Sequence, residues 1–267
     1  MARPVSALTI AGSDSGGGAG IQADLRTFAA HGVHGLSAIT ALTAQNTRGV
    51  TAVHVPPVEF LRAQIDACFD DFDIGAVKLG MLASAPVIHA VADALEAHRP
   101  RWLVLDPVMV ATSGARLLEP EALDALRTRL LPMADLLTPN IPEAELLLGA
   151  SIADGADADA ALAALRALGP GAVLLKGGHL AEGATVTDRY ADDEATRRFR
   201  QPRMAVDGHG TGCTLASAIA ANLCLGRPLA EAVRLAIGYV HAALRSGTRP
   251  GRSEVLVLGH FAARPTA

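Results

Sequence analysis

The chain has 267 residues, half of them apolar, which is enough for a full hydrophobic core; its net charge of −4 and 3% aromatics supply neither the basic stripe nor the stacking surface of a nucleic-acid binder. The three cysteines, Cys68, Cys213 and Cys224, form no CxxC pair and cannot all be paired, which argues against a structural zinc site and fits a reducing compartment, the cytoplasm by default. Charged or histidine residues interrupt the alanine-rich stretches after Asp157 and Gly212 before either could cross a bilayer, so no membrane span is expected.

Residues 7–11 read as a buried first strand rather than part of a signal peptide, because the apolar run is short and leads straight into a glycine loop at 12–20. A helix is expected over about 21–30, then extended segments at 37–44 and 50–55. Pro56 and Pro57 open a helix that places Val58, Leu61, Ile65, Phe69 and Phe72 on one face. A strand at 76–79 precedes a helix over about 86–97. The apolar strand at 102–105 ends at Asp106, the one at 136–138 runs into Pro139-Asn140, and the one at 172–175 ends at Lys176. Strand and helix alternate without a polar linker, which predicts one α/β domain over 1–267 with a mainly parallel central sheet and helices on both faces. The segment 185–200, with alternating Val186, Tyr190 and Phe199, predicts a few antiparallel edge strands. In such a sheet the C-terminal strand ends share one edge, so Lys78, Asp106, Asn140 and Lys176 are expected to converge there.

The densest chemistry lies in Asp207-Gly208-His209-Gly210-Thr211-Gly212-Cys213-Thr214, where three glycines, a threonine and a thiol open a long apolar helix. Backbone N–H groups at such a start can cradle a phosphate, and the same field should lower the Cys213 pKa and suit the thiol to accept a proton. A glycine loop leading to a core cysteine is the plainer alternative. Neither GxxxxGK[ST] nor a strand-bound GxGxxG occurs, so a P-loop and a dinucleotide-dependent dehydrogenase are not favoured. Phosphoryl transfer needs a cradle, metal-binding carboxylates, a cation and a base. Gly210, Thr211 and Gly212 offer the cradle, Cys213 the base, Asp106 and Glu143 the Mg²⁺ ligands, and Asn140 and Lys176 the phosphate partners. Asp106 could equally be a turn residue and Glu143 a helix-start carboxylate. Lys176 is harder to explain without an anion, since the chain has only two lysines and this one ends an apolar strand. Lys78 is similar but weaker, and Cys68 and Cys224 fall in helical patterns as core thiols.

Seven segments in order, 11–24, 43–47, 78–82, 106–109, 138–143, 176–179 and 209–214, resemble the hydroxymethylpyrimidine/phosphomethylpyrimidine kinases of thiamin biosynthesis. The resemblance implies a ribokinase-like fold, ATP and Mg²⁺, a homodimer, and two successive phosphorylations of 4-amino-5-hydroxymethyl-2-methylpyrimidine. It also implies that Gly12, Asp24, Gln45, Met81 and Val108 line the pyrimidine pocket, and that Cys213 stands where sugar-kinase relatives carry an aspartate base. The chain departs from the family pattern at Asp207-Gly208 and at Thr43. Residue chemistry points to the same substrate: the Gln45 amide matches an aminopyrimidine edge, and Asp24 can accept from an amino or hydroxymethyl group. The alternatives are a pyridoxal kinase or dual-substrate vitamin kinase, which Gln45 disfavours, and a nucleotide sensor without turnover, which would not need Cys213, Asp106 and Glu143 together.

Overall fold

The computed structural model describes residues 4–110, 117–119 and 121–265. The first strand, β1 (Ser6–Asp14), is buried along nearly its whole length, as a strand covered on both faces must be. It runs through the glycine loop into α1 (Gly20–Ala30). β2 (His34–Asn46) lies parallel to β1, and β3 (Gly49–His54) returns antiparallel beside it. α2 (Val58–Asp71) buries Leu61 and Ile65, while Phe72, expected on its apolar face, is already extended beyond the helix end. β4 (Ile74–Leu79), α3 (Ala85–His98) and β5 (Leu103–Leu105) follow. α4 (Ala122–Ala125) continues through two short helical turns to β6 (Leu136–Leu137).

α5 (Ile141–Leu148) and α6 (Gly155–Arg166) lead to β7 (Val173–Leu175), and the hairpin β8 (Thr185–Ala191) and β9 (Thr196–Pro202) closes the sheet. The chain then enters β10 (Gly208–His209), α7 (Thr211–Cys224), α8 (Leu229–Arg245) and β11 (Leu256–Val257). β10 and β11 pair in parallel as a separate ribbon. Two-residue strands carry no periodicity, which is why the ribbon is invisible in the sequence.

The main sheet has nine strands in the order β3-β2-β1-β4-β5-β6-β7-β8-β9. Pairing is parallel from β2 to β7 and antiparallel where β3, β8 and β9 join. Successive strand residues point to opposite faces. Leu8, Ile10, Val77, Leu79, Leu105 and Leu175 meet helices α2 to α6 on one side, whereas Ala7, Ala76, Val104, Leu136 and Leu174 meet α1, α7 and α8 on the other. This is the mainly parallel, doubly covered sheet with antiparallel edges that the apolar runs imply. No helix among the described residues is long and apolar enough to cross a membrane.

Candidate active site

Three parallel strands stop at the same edge and deliver Asp106, Asn140 and Lys176 there, as their sequence positions imply. Asp106 follows β5 and is 1% exposed. Lys176 follows β7 and places Nζ 2.9 Å from Asp106 Oδ1 and 3.7 Å from Glu143 Oε2. Burial alone would lower the Lys176 pKa, but the two carboxylates more than offset it and hold the ammonium above its ordinary value. Asn140 and Glu143 form a reciprocal cap at the start of α5: Glu143 N donates to Asn140 Oδ1 at 2.8 Å, and Asn140 N donates to Glu143 Oε2 at 2.7 Å. Glu143 is therefore a helix-start carboxylate and a neighbour of Lys176 at once. Burial pushes its carboxyl up, Lys176 pulls it down and Asp106 pushes it up again, with a net rise. Since Asn140 spends its side-chain oxygen on the cap, only its amide nitrogen is left to meet a phosphate.

The other wall is made by two glycine loops pressed together. Gly210, the N-cap of α7, has φ +83, and a Cβ there would sit 2.0 Å from the Gly18 carbonyl oxygen. No side chain caps this helix, so its first N–H groups are offered to whatever occupies the cavity. The start of α7 also abuts the ion pair, because a Cβ on Gly212 would lie 3.1 Å from Lys176 Nζ and 3.3 Å from Asp106 Oδ2.

A cavity of about 550 Å³ opens between these walls. Gly12, Gln45, Met81, Val108, Asp106, Asn140, Glu143, Lys176, Gly210, Thr211, Gly212 and Cys213 all line it. Asp24 does not. It is fully buried, and its carboxylate accepts from Thr9 Oγ1 at 2.6 Å, Ser217 Oγ at 2.7 Å and Lys78 Nζ at 2.9 Å. The pocket role expected of Asp24 is corrected accordingly: every strong donor near it lies in the core. Lys78 is equally buried and does not line the cavity, although it sits near the end of β4 and its ammonium is felt by Asp106 and Cys213. Asp24, Coulombically the strongest partner, holds the Lys78 ammonium above its ordinary value against burial.

Cys213 corrects a second expectation. The thiol is pushed up to about 11, chiefly by burial, with Asp24 and Asp106 adding to the rise and Lys78 and the Gly20 N–H opposing it. Desolvation here outweighs the helix N-terminus that was expected to lower it. Cys68 in α2 and Cys224 in α7 are half-buried and pack against the two faces of the core.

Two cavity residues carry roles that the sequence did not assign, although both sit inside glycine-rich motifs. Asp14 accepts from Gly16 N at 2.7 Å, Ala19 N at 2.9 Å and Gly18 N at 3.0 Å, so it organises the first loop. His209 Nε2 lies 3.0 Å from Asp14 Oδ2 and 3.2 Å from Gln45 Nε2. Gln45 Oε1 is 3.0 Å from Thr43 Oγ1, which is also 2.9 Å from the Ser13 carbonyl oxygen.

No group of three acidic, histidine or cysteine residues among the described residues could by itself hold a metal. Asp106 and Glu143 around one ammonium nevertheless fit Mg²⁺, which is usually held by one or two carboxylates and completed by phosphate oxygens and water. The cavity thus combines an amide edge, a thiol, an open helix start and a cation flanked by two carboxylates.

The family model for phosphomethylpyrimidine kinase matches residues 14–257. The hydroxymethylpyrimidine/phosphomethylpyrimidine kinase of Rhizobium meliloti (strain 1021) is 53% identical over 245 residues, covering 91% of each chain. The crystal structure of phosphomethylpyrimidine kinase from Clostridium difficile 630 matches with TM-score 0.80 and 43% identity over 89% of this chain and 98% of that one. The pyridoxal kinase of Staphylococcus aureus in complex with AMP-PCP and pyridoxal matches with TM-score 0.89 and 30% identity over 98% of this chain and 95% of that one. The chain spans about half the length of the bifunctional thiamine biosynthesis relatives it also matches.

Proposed function

Because the chain belongs to the phosphomethylpyrimidine kinase family, we propose that it phosphorylates 4-amino-5-hydroxymethyl-2-methylpyrimidine, and then the monophosphate, from ATP in thiamin biosynthesis. The observation that carries this reading is that one cavity is lined both by Gln45, Met81 and Val108 and by Gly210, Gly212 and Cys213. A flat heteroaromatic alcohol bound to the first group presents its hydroxyl to the second. ATP as donor is supported by the AMP-PCP complex of the pyridoxal kinase relative, since AMP-PCP is an ATP analogue.

In this mechanism the open N–H groups of α7 receive the transferred phosphoryl oxygens, and Lys176 offsets charge on the polyphosphate. Asp106 and Glu143 are the residues that would hold Mg²⁺, which when bound neutralises developing charge on the phosphates. Cys213 takes the proton of the acceptor hydroxyl. The thiolate is the form that accepts this proton, and with the thiol pushed up to about 11 it is a minor population at neutral pH. We further propose that residues 1–267 act as one domain, in the cytoplasm and as a homodimer.

A coupled ADP-release assay with the aminopyrimidine alcohol, its monophosphate and pyridoxal side by side tests the activity. Turnover of the first two ahead of the third is expected, and no turnover of the aminopyrimidine alcohol would end the proposal. The high TM-score against the pyridoxal kinase keeps a dual-substrate enzyme as the second reading.

Two substitutions test the roles within the cavity. Glu143→Gln is expected to weaken the Mg²⁺ dependence of turnover, and a metal titration that overlays the wild type would leave Glu143 with only its helix cap. Gln45→Met is expected to reduce the preference for the aminopyrimidine alcohol over pyridoxal, which should be at least about tenfold in kcat/KM, or ~1.4 kcal/mol, in the wild type. An unchanged ratio would move recognition elsewhere in the pocket.

A further inference from the structure

Asp14 is 3% exposed, and burial by itself would raise its pKa, but His209 and the N–H groups of Ala19 and Gly16 hold it below the ordinary carboxylate value. It is an acceptor only. The His209 Nε2 that lies 3.0 Å from Asp14 Oδ2 must therefore carry hydrogen, whatever the charge on the ring. A ring nitrogen bearing hydrogen has no lone pair, so the Gln45 amide nitrogen 3.2 Å away would face it donor to donor. At the other end of the amide, Thr43 Oγ1 donates its single hydrogen to the Ser13 carbonyl oxygen at 2.9 Å and offers a lone pair. A half-turn of the amide removes both clashes: its oxygen shares the single His209 Nε2–H with Asp14 in a three-centre bond, and its nitrogen donates to Thr43. The two ends are nearly identical in shape, so the turn disturbs no packing.

Taking Gln45 to recognise the pyrimidine edge, as proposed above, we infer that the Asp14–His209 pair fixes the direction of the Gln45 amide and thereby the way round in which the aminopyrimidine ring binds. The amide oxygen on the His209 side accepts from the exocyclic amino group, and the amide nitrogen on the Thr43 side donates to the adjacent ring nitrogen. The reversed ring would set donor against donor and acceptor against acceptor. In the substrate the hydroxymethyl carbon neighbours the amino-bearing carbon on the side away from that ring nitrogen. His209 immediately precedes Gly210 and the start of α7, so the favoured ring places its hydroxyl toward Cys213 and the phosphate cradle. Asp14 and His209 are positioning residues in this scheme, acting through Gln45.

The test uses the 4-oxo analogue of the substrate, in which a carbonyl replaces the amino group and the neighbouring ring nitrogen carries hydrogen, so that the donor and acceptor are exchanged. Wild-type enzyme is expected to favour the 4-amino compound by at least about tenfold in kcat/KM. His209→Leu frees the amide to turn, and the ratio should fall to within a few-fold, whereas His209→Gln, whose Nε2–H replaces that of the imidazole, should retain it. Thr43→Val removes the other anchor and should also lower the ratio. A loss of activity by misfolding would reduce both substrates together and leave the ratio in place. If Gln45→Met leaves the ratio at its wild-type value, it is Gln45's recognition role that fails. If Gln45→Met abolishes the ratio while His209→Leu and Thr43→Val both preserve it, the orienting role alone is overturned. Detection by ¹⁵N-resolved NMR of a neutral His209 with hydrogen on Nδ1 and none on Nε2 would also overturn it.

Discussion

Cys213→Ser is expected to lower turnover by ~10²–10⁴-fold, the usual loss when a general base is removed, while ATP still binds. The substitution keeps the helix start and nearly the same volume, so it isolates the acid–base property of sulfur. The wild-type thiol is pushed up to about 11 by burial, and the base is the ionised form, which gains population as pH rises. Hence kcat/KM for the aminopyrimidine alcohol should climb with pH through neutrality with a slope near one on a logarithmic scale. The serine variant should lack that slope, because its hydroxyl ionises far above the accessible range. Wild-type turnover in the variant, or identical pH profiles, would remove Cys213 from the role of base.

Lys176→Met should produce the largest loss of stability among the site substitutions. It takes away the ammonium that sits 2.9 Å from Asp106 and 3.7 Å from Glu143, leaving two buried carboxylates facing each other. Breaking a buried pair from one side typically costs about 3–5 kcal/mol. The sign with pH follows from Glu143, whose carboxyl is already raised by burial even with Lys176 pulling it down. Without the lysine it rises further, so the variant can relieve its repulsion by binding a proton, and the deficit against wild type should shrink as pH falls from 7 to 5. Denaturant midpoints at those two pH values check this. A deficit that stays constant or grows on acidification would show that the ammonium does not balance Glu143.

What the sequence revealed and what it hid divide along the range of the interactions. Each of Asp106, Asn140 and Lys176 is placed by the end of its own strand, and the sheet brings strand ends together, so their convergence is legible from local apolar runs. The antiparallel edge hairpin is legible for the same reason, through the alternation of Val186, Tyr190 and Phe199. Asp24 is different. Its position in a glycine-rich motif suggested a ligand contact, but its fate is decided by Lys78 and Ser217, 54 and 193 positions away. Cys213 was misjudged because helix position is local and desolvation is not: the helix start was visible, whereas the burial that outweighs it depends on packing against the rest of the chain. The cap between Asn140 and Glu143 was half legible, since the Asn-x-x-Glu spacing serves equally well as a helix start and as a pair of ligands, and the structure uses it as a helix start beside the lysine.

One contact in the cavity wall joins Asp14 to His209 across 195 positions, and one in the core behind it joins Asp24 to Ser217 across 193. At a synthesis rate of roughly 5–20 residues per second, roughly 10–40 s separate the emergence of such partners from the ribosome. During that interval β1, β4, β5, β6 and β7 can pair and bury the face that meets α2 to α6. Their opposite face is covered by α1 over β1 alone, and the part carrying Val104, Leu136 and Leu174 must wait for α7 and α8. The helix that completes the proposed phosphate cradle is therefore also the cover for the last exposed apolar surface, so the nascent protein completes its cavity and sheds its stickiest face in the same folding step.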